Sequence, residues 1–154
     1  CQRVTVFNEK NCGSIVPEKD EFNKDDLKLL NKFSDNIEIL RHEIDKQNLN
    51  FYINFIVDSL FDANKYFNDQ EPWRKKEDIA RLNTILYTSL EVIRKICIML
   101  YPIMPSSIIK TLKIFDLSEN DIQFKTLSNH NYLRIKKKIN RIDILFKKVE
   151  KIND

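Results

Sequence analysis

Glycine is almost absent from this sequence: Gly13 is the single glycine among 154 residues, and proline occurs only four times. Tight hairpin turns depend on glycine, so its scarcity argues against a fold built from many short strands. A glycine-rich loop that could cradle a phosphate is excluded for the same reason. The composition therefore disfavours both many-stranded β proteins and P-loop nucleotide binders.

Long apolar runs are also missing, since no stretch approaches the ~20 residues that span a bilayer, and no signal peptide opens the chain. The three cysteines, Cys1, Cys12 and Cys97, are odd in number and lack a CxxC spacing. That pattern argues against a disulfide framework and a zinc site. Neither His42 nor His130 has a metal-ligand spacing to a second His or Cys. We expect a soluble, cytoplasmic protein with reduced thiols, no metal and no membrane partner.

The net charge of +3 is unevenly distributed. Residues 130–154 carry eight basic and three acidic side chains, whereas the remaining residues carry 18 basic and 20 acidic ones. A basic tail could contact phosphates. However, the chain also contains 21 Ile, 19 Lys and 16 Asn, all with AT-rich codons, so the lysines can equally record a bias of the genome.

Apolar residues recur at steps of three and four in three long segments, which predicts amphipathic helices. The first runs over residues 27–44, with Asn23 or Asp25 as a candidate N-cap, the second over 53–67 and the third over 79–100.

Proline and glycine mark where helices begin and end. Pro72 ends the second long helix, and Pro102 ends the third. A first helix over residues 1–10 should end near Gly13, and Pro105 should open a short helix through Leu112. The pattern weakens after Asp116. We predict an all-α fold, an antiparallel bundle of four to five helices over residues 1–117, followed by an extended C-terminal tail over 118–154.

No constellation of residues indicates enzyme chemistry. A cysteine nucleophile needs a positioned histidine base, and the sequence nominates none. The acidic residues are numerous but spread over polar helix faces, which predicts that they are solvated. We therefore predict no catalytic residues in this chain.

One segment differs from the rest. A helix carrying Asn64 and Tyr66 is ended by Pro72, and the only tryptophan, Trp73, follows directly. Proline restricts its predecessor and fixes its own φ, so Pro72 should hold Trp73 in a defined direction. Trp73 can seal the bundle as a core aromatic, or it can be a platform on which an unstacked base stacks.

The chain resembles the anticodon-binding domain of methionyl-tRNA synthetases over nearly its whole length. The resemblance rests on the order and spacing of several short runs. They are Ala63-Asn64-Lys65-Tyr66, Glu71-Pro72-Trp73, Ala80-Arg81-Leu82-Asn83, Leu86-Tyr87 and Leu100-Tyr101-Pro102-Ile103-Met104-Pro105, with Cys1-Gln2-Arg3, Asn11-Cys12-Gly13 and Val16-Pro17 before them and Leu133 through Glu150 after them.

The resemblance implies a role for particular residues. The bundle would read the CAU anticodon of the methionine tRNA, with Trp73 stacked on anticodon bases. Arg3 matches the Arg of the family's Asn-Leu-x-x-Arg pattern, whose Asn would lie two residues before Cys1. Asn64 is a weaker candidate, because an interhelical hydrogen bond would explain it equally well.

Three basic residues follow Trp73 directly. Arg74, Lys75 and Lys76 are candidates for contacts with loop phosphates, or they form an ordinary polar first turn.

The family's nucleotide-binding motifs are absent from these residues, so the resemblance implies that ATP binds a catalytic domain outside this chain and that the chain needs no cofactor. The tail, 118–154, would pack on the bundle or on that domain. Two departures, Ile135-Lys136 in place of Pro-Gly and Lys147 in place of Pro, leave the path of the tail open.

The alternatives are a helical protein-interaction bundle and the equivalent domain of another class I synthetase. No role in DNA binding is implied.

Overall fold

The computed structural model describes residues 1–140, which fold into a bundle of α-helices with short 3₁₀ turns. The predicted all-α class is confirmed. The helices are α1 (Gln2–Cys12), α2 (Lys24–Asp35), α3 (Ile37–Asp45), α4 (Leu49–Asp69), α5 (Ile79–Leu100) and α6 (Pro105–Leu112).

Residues that were predicted to begin or end helices do so through local hydrogen bonds and backbone conformation. Gly13 ends α1 at φ 62°, a left-handed conformation that glycine adopts at little cost. The Asn23 side chain accepts hydrogen bonds from the backbone N–H groups of Asp25 and Asp26, and the Asp26 carboxylate accepts one from the Asn23 N–H. This reciprocal capping box fixes the start of α2.

The prediction of a single helix over residues 27–44 is wrong. The chain breaks at Asn36, whose φ and ψ of −105° and 3° are not helical, and α3 starts directly after it. The Asn36 amide donates to the carbonyl of Lys32 at 2.8 Å, so a local side-chain bond competes with the helix. The apolar period continues through the break, which explains why α2 and α3 occupy a segment where one helix was predicted.

Helix α5 is the central element and packs against α1, α2, α4 and α6. Residues on opposite sides of α5 belong to two hydrophobic clusters. The first cluster includes Leu86, Leu90 and Cys97, and the second includes Ile85 and Val92. Because α5 is buried on both of these sides, it forms the centre around which the other helices pack.

The chain after α6 returns to α5 through buried polar contacts. Leu127, Leu133 and Ile139 are buried. The backbone N–H of Leu133 donates to Glu91 Oε1 at 2.6 Å, and the Glu91 carboxylate also accepts from Arg94 Nε at 2.7 Å. These ionic groups have no exposed surface and fasten the returning segment to the middle of α5.

Lys136 lies in a turn at one of the two predicted departures from the family pattern. It adopts φ 63°, although it carries a side chain. Its N–H donates to the Val16 carbonyl at 2.8 Å, and Ile15 forms a single antiparallel bridge with Lys138. The turn thus places a residue that carries a side chain in a strained backbone conformation. The departure at Lys147 and the remainder of the basic tail, 141–154, lie outside the described residues.

Several residues on the predicted apolar stripes are exposed. The most exposed of them are Leu27, Ile44, Ile53, Leu60 and Ile79. Ile53 and Leu60 line an open apolar groove. Within residues 1–140, no helix is both long enough and apolar enough to cross a membrane.

Candidate nucleic-acid interface

The corner between α4 and α5 presents Trp73 to solvent. Helix α4 ends at Asp69, and Glu71 adopts a left-handed conformation with φ 45°. Pro72 then opens a 3₁₀ turn through Arg74 and is itself buried. Trp73 keeps 37% of its surface exposed. A proline buried beside a half-exposed indole holds the ring at the surface in one direction.

Arg3 lies against this indole. Its Cζ is 5.3 Å from the Trp73 ring centroid and 5.0 Å from that of Phe67, within the range of cation–π attraction. Arg3 Nη1 donates to Asn68 Oδ1 at 2.7 Å. The structure therefore brings Trp73 and Arg3, 70 positions apart in the chain, to one end of the bundle.

Phe67 provides the buried ring against which Arg3 and Trp73 lie. It is 3% exposed, and its ring centroid lies 6.3 Å from Trp73 and 6.0 Å from Phe7 of α1. The edge-on packing of Phe7 on Phe67 ties α1 to α4 at this point. Sequence analysis missed Phe67 and Asn68 as parts of the site. Their position one helical turn beyond Asn64 was the only signal.

Asn64 lies on the same side of the bundle. It lines an apolar groove of about 530 Å³ that Arg3 and Phe67 also line. Its side chain is exposed and makes no hydrogen bond to any described residue. The interhelical hydrogen bond considered for Asn64 is therefore not formed within residues 1–140.

The three basic residues after Trp73 are all exposed. Arg74 Nη1 lies 3.2 Å from Glu71 Oε2, so its charge is partly compensated. Lys75 and Lys76 form no ion pair with any of residues 1–140. Of the three, these two lysines are freer to meet a phosphate.

A buried ionic cluster, which sequence analysis did not predict, lies behind the corner between α4 and α5. Asp26 has no exposed surface and accepts two hydrogen bonds from Arg81, at 2.6 and 2.9 Å, and one from the Tyr66 hydroxyl. Arg81 Nη2 also donates to Gln70 Oε1 at 2.5 Å. Gln70 caps the end of α4, just before Trp73, so the cluster joins α2, α4 and α5 behind the corner.

Burial alone would raise the pKa of Asp26. The hydrogen bonds from Arg81, Tyr66 and the Asn23 backbone outweigh burial and lower that pKa below its usual value. Asp26 and Glu91 are both buried, so the prediction that the acidic residues lie on solvated faces is wrong for these two. Charged residues are so rarely buried that the sequence alone gives little indication that Asp26 and Glu91 lie inside the bundle.

Across the described part of the chain, no three His, Cys, Asp or Glu side chains come close enough to hold a metal ion. His42 is exposed, and the other histidine, His130, contacts Lys95 and Asn31. The site at the corner is thus aromatic and cationic, which suits stacking and hydrogen bonding to an unstacked base.

Solved structures define the class of protein to which this bundle belongs. The free form of Mycobacterium tuberculosis methionyl-tRNA synthetase matches with a TM-score of 0.87 and 29% identity, over 97% of this chain and 31% of that chain. The same synthetase bound by methionyl-adenylate matches with a TM-score of 0.86 and 30% identity, over 95% of this chain and 30% of that chain. The bundle therefore has the fold of part of an aminoacyl-tRNA synthetase, the class of protein to which these comparisons point.

Sequence comparison specifies the family. The family described as the anticodon binding domain of methionyl tRNA ligase matches residues 16–154. The methionine–tRNA ligase of Mycobacterium leprae is 38% identical over 132 residues, covering 82% of this chain and 25% of that protein. That of Brucella suis is 36% identical over 124 residues, covering 80% of this chain and 24% of that protein.

The chain therefore belongs to the family of methionyl-tRNA ligase anticodon-binding domains, as the resemblance indicated. It spans about a quarter of the length of the curated relatives that it matches.

Proposed function

We propose that this chain binds the anticodon loop of the methionine tRNA and selects the CAU anticodon. The observation that carries the proposal is the contact between Arg3 and Trp73 at the exposed corner. The indole offers a face on which a base can stack, a contact of about 1–3 kcal/mol. The guanidinium beside it offers a rigid fork of donors for acceptors on that base.

The burial pattern supports this function over that of a purely structural bundle. A core tryptophan would be nearly inaccessible and distant from Arg3, whereas Trp73 keeps more than a third of its surface. Asn64, on the same groove as Arg3, offers a further amide with no partner among the described residues. Pro72 positions Trp73, and Arg74, Lys75 and Lys76 provide positive charge next to it.

The full-length protein would join methionine to its tRNA in the cytoplasm. A catalytic domain outside this chain would hold ATP and methionine, and the present residues would only select the tRNA. The chain alone would need no cofactor.

The intrinsic fluorescence of Trp73 tests the proposal, because it is the only tryptophan. The 154-residue chain is titrated at low salt with a methionine-tRNA anticodon stem-loop and with a stem-loop whose anticodon is changed. We expect strong quenching by the CAU loop and much weaker quenching by the changed loop. No quenching by either loop would overturn the proposal in favour of an interaction bundle, and equal quenching by both loops would overturn the selection of the CAU anticodon.

Two variants localise the contact, with binding measured by the anisotropy of a labelled stem-loop. Trp73→Ala should weaken binding of the CAU loop by roughly tenfold or more, since the base can no longer stack on the indole. The matched control is Phe61→Ala, which removes an aromatic ring with 68% exposure eight residues before the end of α4. Phe61→Ala should leave binding unchanged.

A further inference from the structure

Asn68 fixes the orientation of the Arg3 guanidinium. Arg3 is exposed in the first turn of α1, and an arginine there would ordinarily sample many rotamers. Here Nη1 donates to Asn68 Oδ1 at 2.7 Å while the Cζ atom lies about equally far from the rings of Phe67 and Trp73. Two rings limit where the group lies, and the hydrogen bond determines which edge of its plane faces outward.

The amide suits this task because it is short and neutral. Asn68 projects from α4, and α4 also carries Phe67, so the ring and the acceptor are held by the same helix. A hydrogen bond from a charged donor is stronger than one between neutral groups, and it uses one of the five N–H donors of Arg3. The positive charge is not cancelled, and the remaining donors stay available for a ligand.

We propose that Asn68 is a positioning residue for base recognition by Arg3, an inference that rests on the proposed function. Asn68 acts through Arg3: it presets the guanidinium so that little conformational entropy is lost when a base binds. Its contribution should therefore appear as discrimination between anticodons rather than as general attraction to RNA.

The test is a double-mutant cycle on the 154-residue chain, using the CAU stem-loop and the stem-loop whose anticodon is changed. Asn68→Ala should weaken CAU binding about tenfold and reduce the preference for CAU over the changed loop. Arg3→Ala should have a similar or larger effect, and the double variant should bind no more weakly than Arg3→Ala alone. Such non-additivity shows that the two side chains act together.

The conservative variant Asn68→Asp keeps an acceptor of the same shape at the same position, so it should retain the preference for CAU, although its negative charge should weaken the binding of both loops by a similar factor. Alanine is a better helix former than asparagine and Asn68 is exposed, so thermal unfolding should show Asn68→Ala as stable as the parent chain.

The two proposals fail in different ways. If the parent chain does not distinguish the loops, the proposed function fails. If the parent distinguishes them and Asn68→Ala does so equally well, or its effect adds fully to that of Arg3→Ala, the role of Asn68 is overturned. Loss of preference in Asn68→Asp as well as in Asn68→Ala would also overturn it.

Discussion

Asp26 and Arg81, 55 positions apart in sequence, form a two-pronged ion pair behind the corner that carries Trp73, with N–O distances of 2.6 and 2.9 Å. Asp26 belongs to the first turn of α2 and Arg81 to the first turn of α5. The Tyr66 hydroxyl donates to the same carboxylate from α4. One buried acid thus links the three helices around the site.

Replacing Asp26 with Asn should destabilise the fold by about 2 kcal/mol at neutral pH. Breaking a fully buried pair typically costs roughly 3–5 kcal/mol, and the cost is smaller here because Arg81 keeps some contact with water. Urea unfolding followed by Trp73 fluorescence measures the difference. The control is Asp62→Asn, which removes an exposed partner of Lys32 and should cost less than about 1 kcal/mol.

The difference between Asp26→Asn and the parent chain should depend on pH. The folded pKa of Asp26 is lowered, so its contribution is fully present above the unfolded pKa of about 3.9 and is lost as the pH falls towards the folded pKa. The two unfolding free energies should be separated by a constant amount above about pH 5 and converge below about pH 4. A separation that persists undiminished at about pH 2 would contradict the assignment.

Because of Lys95, the free energy of unfolding should increase as the pH rises. Burial, followed by repulsion from Arg94, lowers the pKa of Lys95 to about 7, although Glu91 opposes the shift. His130 also faces this amine, at 3.3 Å. Between the folded pKa and the unfolded value of about 10.4, the unfolded chain binds one more proton, so stability increases with pH.

Lys95→Met removes this dependence. Relative to that variant, the parent chain should gain about 2 kcal/mol in unfolding free energy between about pH 7 and pH 9, at roughly 1.4 kcal/mol per pH unit in the limiting case. The exposed Lys110, replaced in the same way, serves as the control and should produce no such slope. Parallel pH profiles for the parent and Lys95→Met would show that the amine does not titrate in this range.

Replacing Lys136 with Gly should stabilise the fold by up to about 1 kcal/mol. A side chain at φ 63° costs about 1–2 kcal/mol, which glycine avoids, but glycine also raises the entropy of the unfolded chain. The ion pair that Lys136 makes with Glu18 is exposed, so its removal has little effect.

Gly13→Ala makes the opposite change, because it adds a side chain at a left-handed position. Apart from its two chain neighbours, no heavy atom of residues 1–140 lies within 4 Å of the added Cβ, so the φ of 62° alone should cost about 1 kcal/mol. Thermal unfolding of both variants should therefore show melting temperatures that move in opposite directions from the parent.

Replacing Lys75 and Lys76, which form no ion pair within residues 1–140, should weaken RNA binding without changing anticodon preference. Phosphate contacts carry no sequence information, so the Lys75→Ala, Lys76→Ala double variant should bind the CAU and changed loops more weakly by the same factor. The slope of log K against log salt should become shallower by about 0.7 for each single-strand phosphate that a lysine no longer neutralises. An unchanged slope would show that these lysines do not contact phosphate.

Much of the fold could be predicted from apolar periodicity and from glycine and proline at helix ends, because these features depend only on residues close together in the sequence. Helix α5 runs over the predicted segment 79–100, and α1 ends beside Gly13 as expected. The break at Asn36 escaped prediction since the apolar period is the same on both sides of it. The break is marked by the Asn36 side-chain amide, which donates back to the Lys32 carbonyl, and by the non-helical backbone of Asn36.

The candidate site was predicted in part. Trp73 stood out as the only tryptophan, directly after a proline, and Arg3 entered through the resemblance to a family. Asn68 and Phe67, by contrast, look like ordinary residues of an amphipathic helix. Their partnership with Arg3 depends on where α1 crosses α4, which is a non-local contact.

The sequence by itself determined the helical class, most helix ends and the family, because capping, proline geometry and apolar periodicity are encoded by neighbouring residues. Tertiary structure decided which charged groups are buried and which side chains meet. Asp26 and Glu91 are acidic residues like many others in this chain until the helices pack. Only packing supplies the donors that make it favourable to bury a carboxylate, and those donors come from distant parts of the chain.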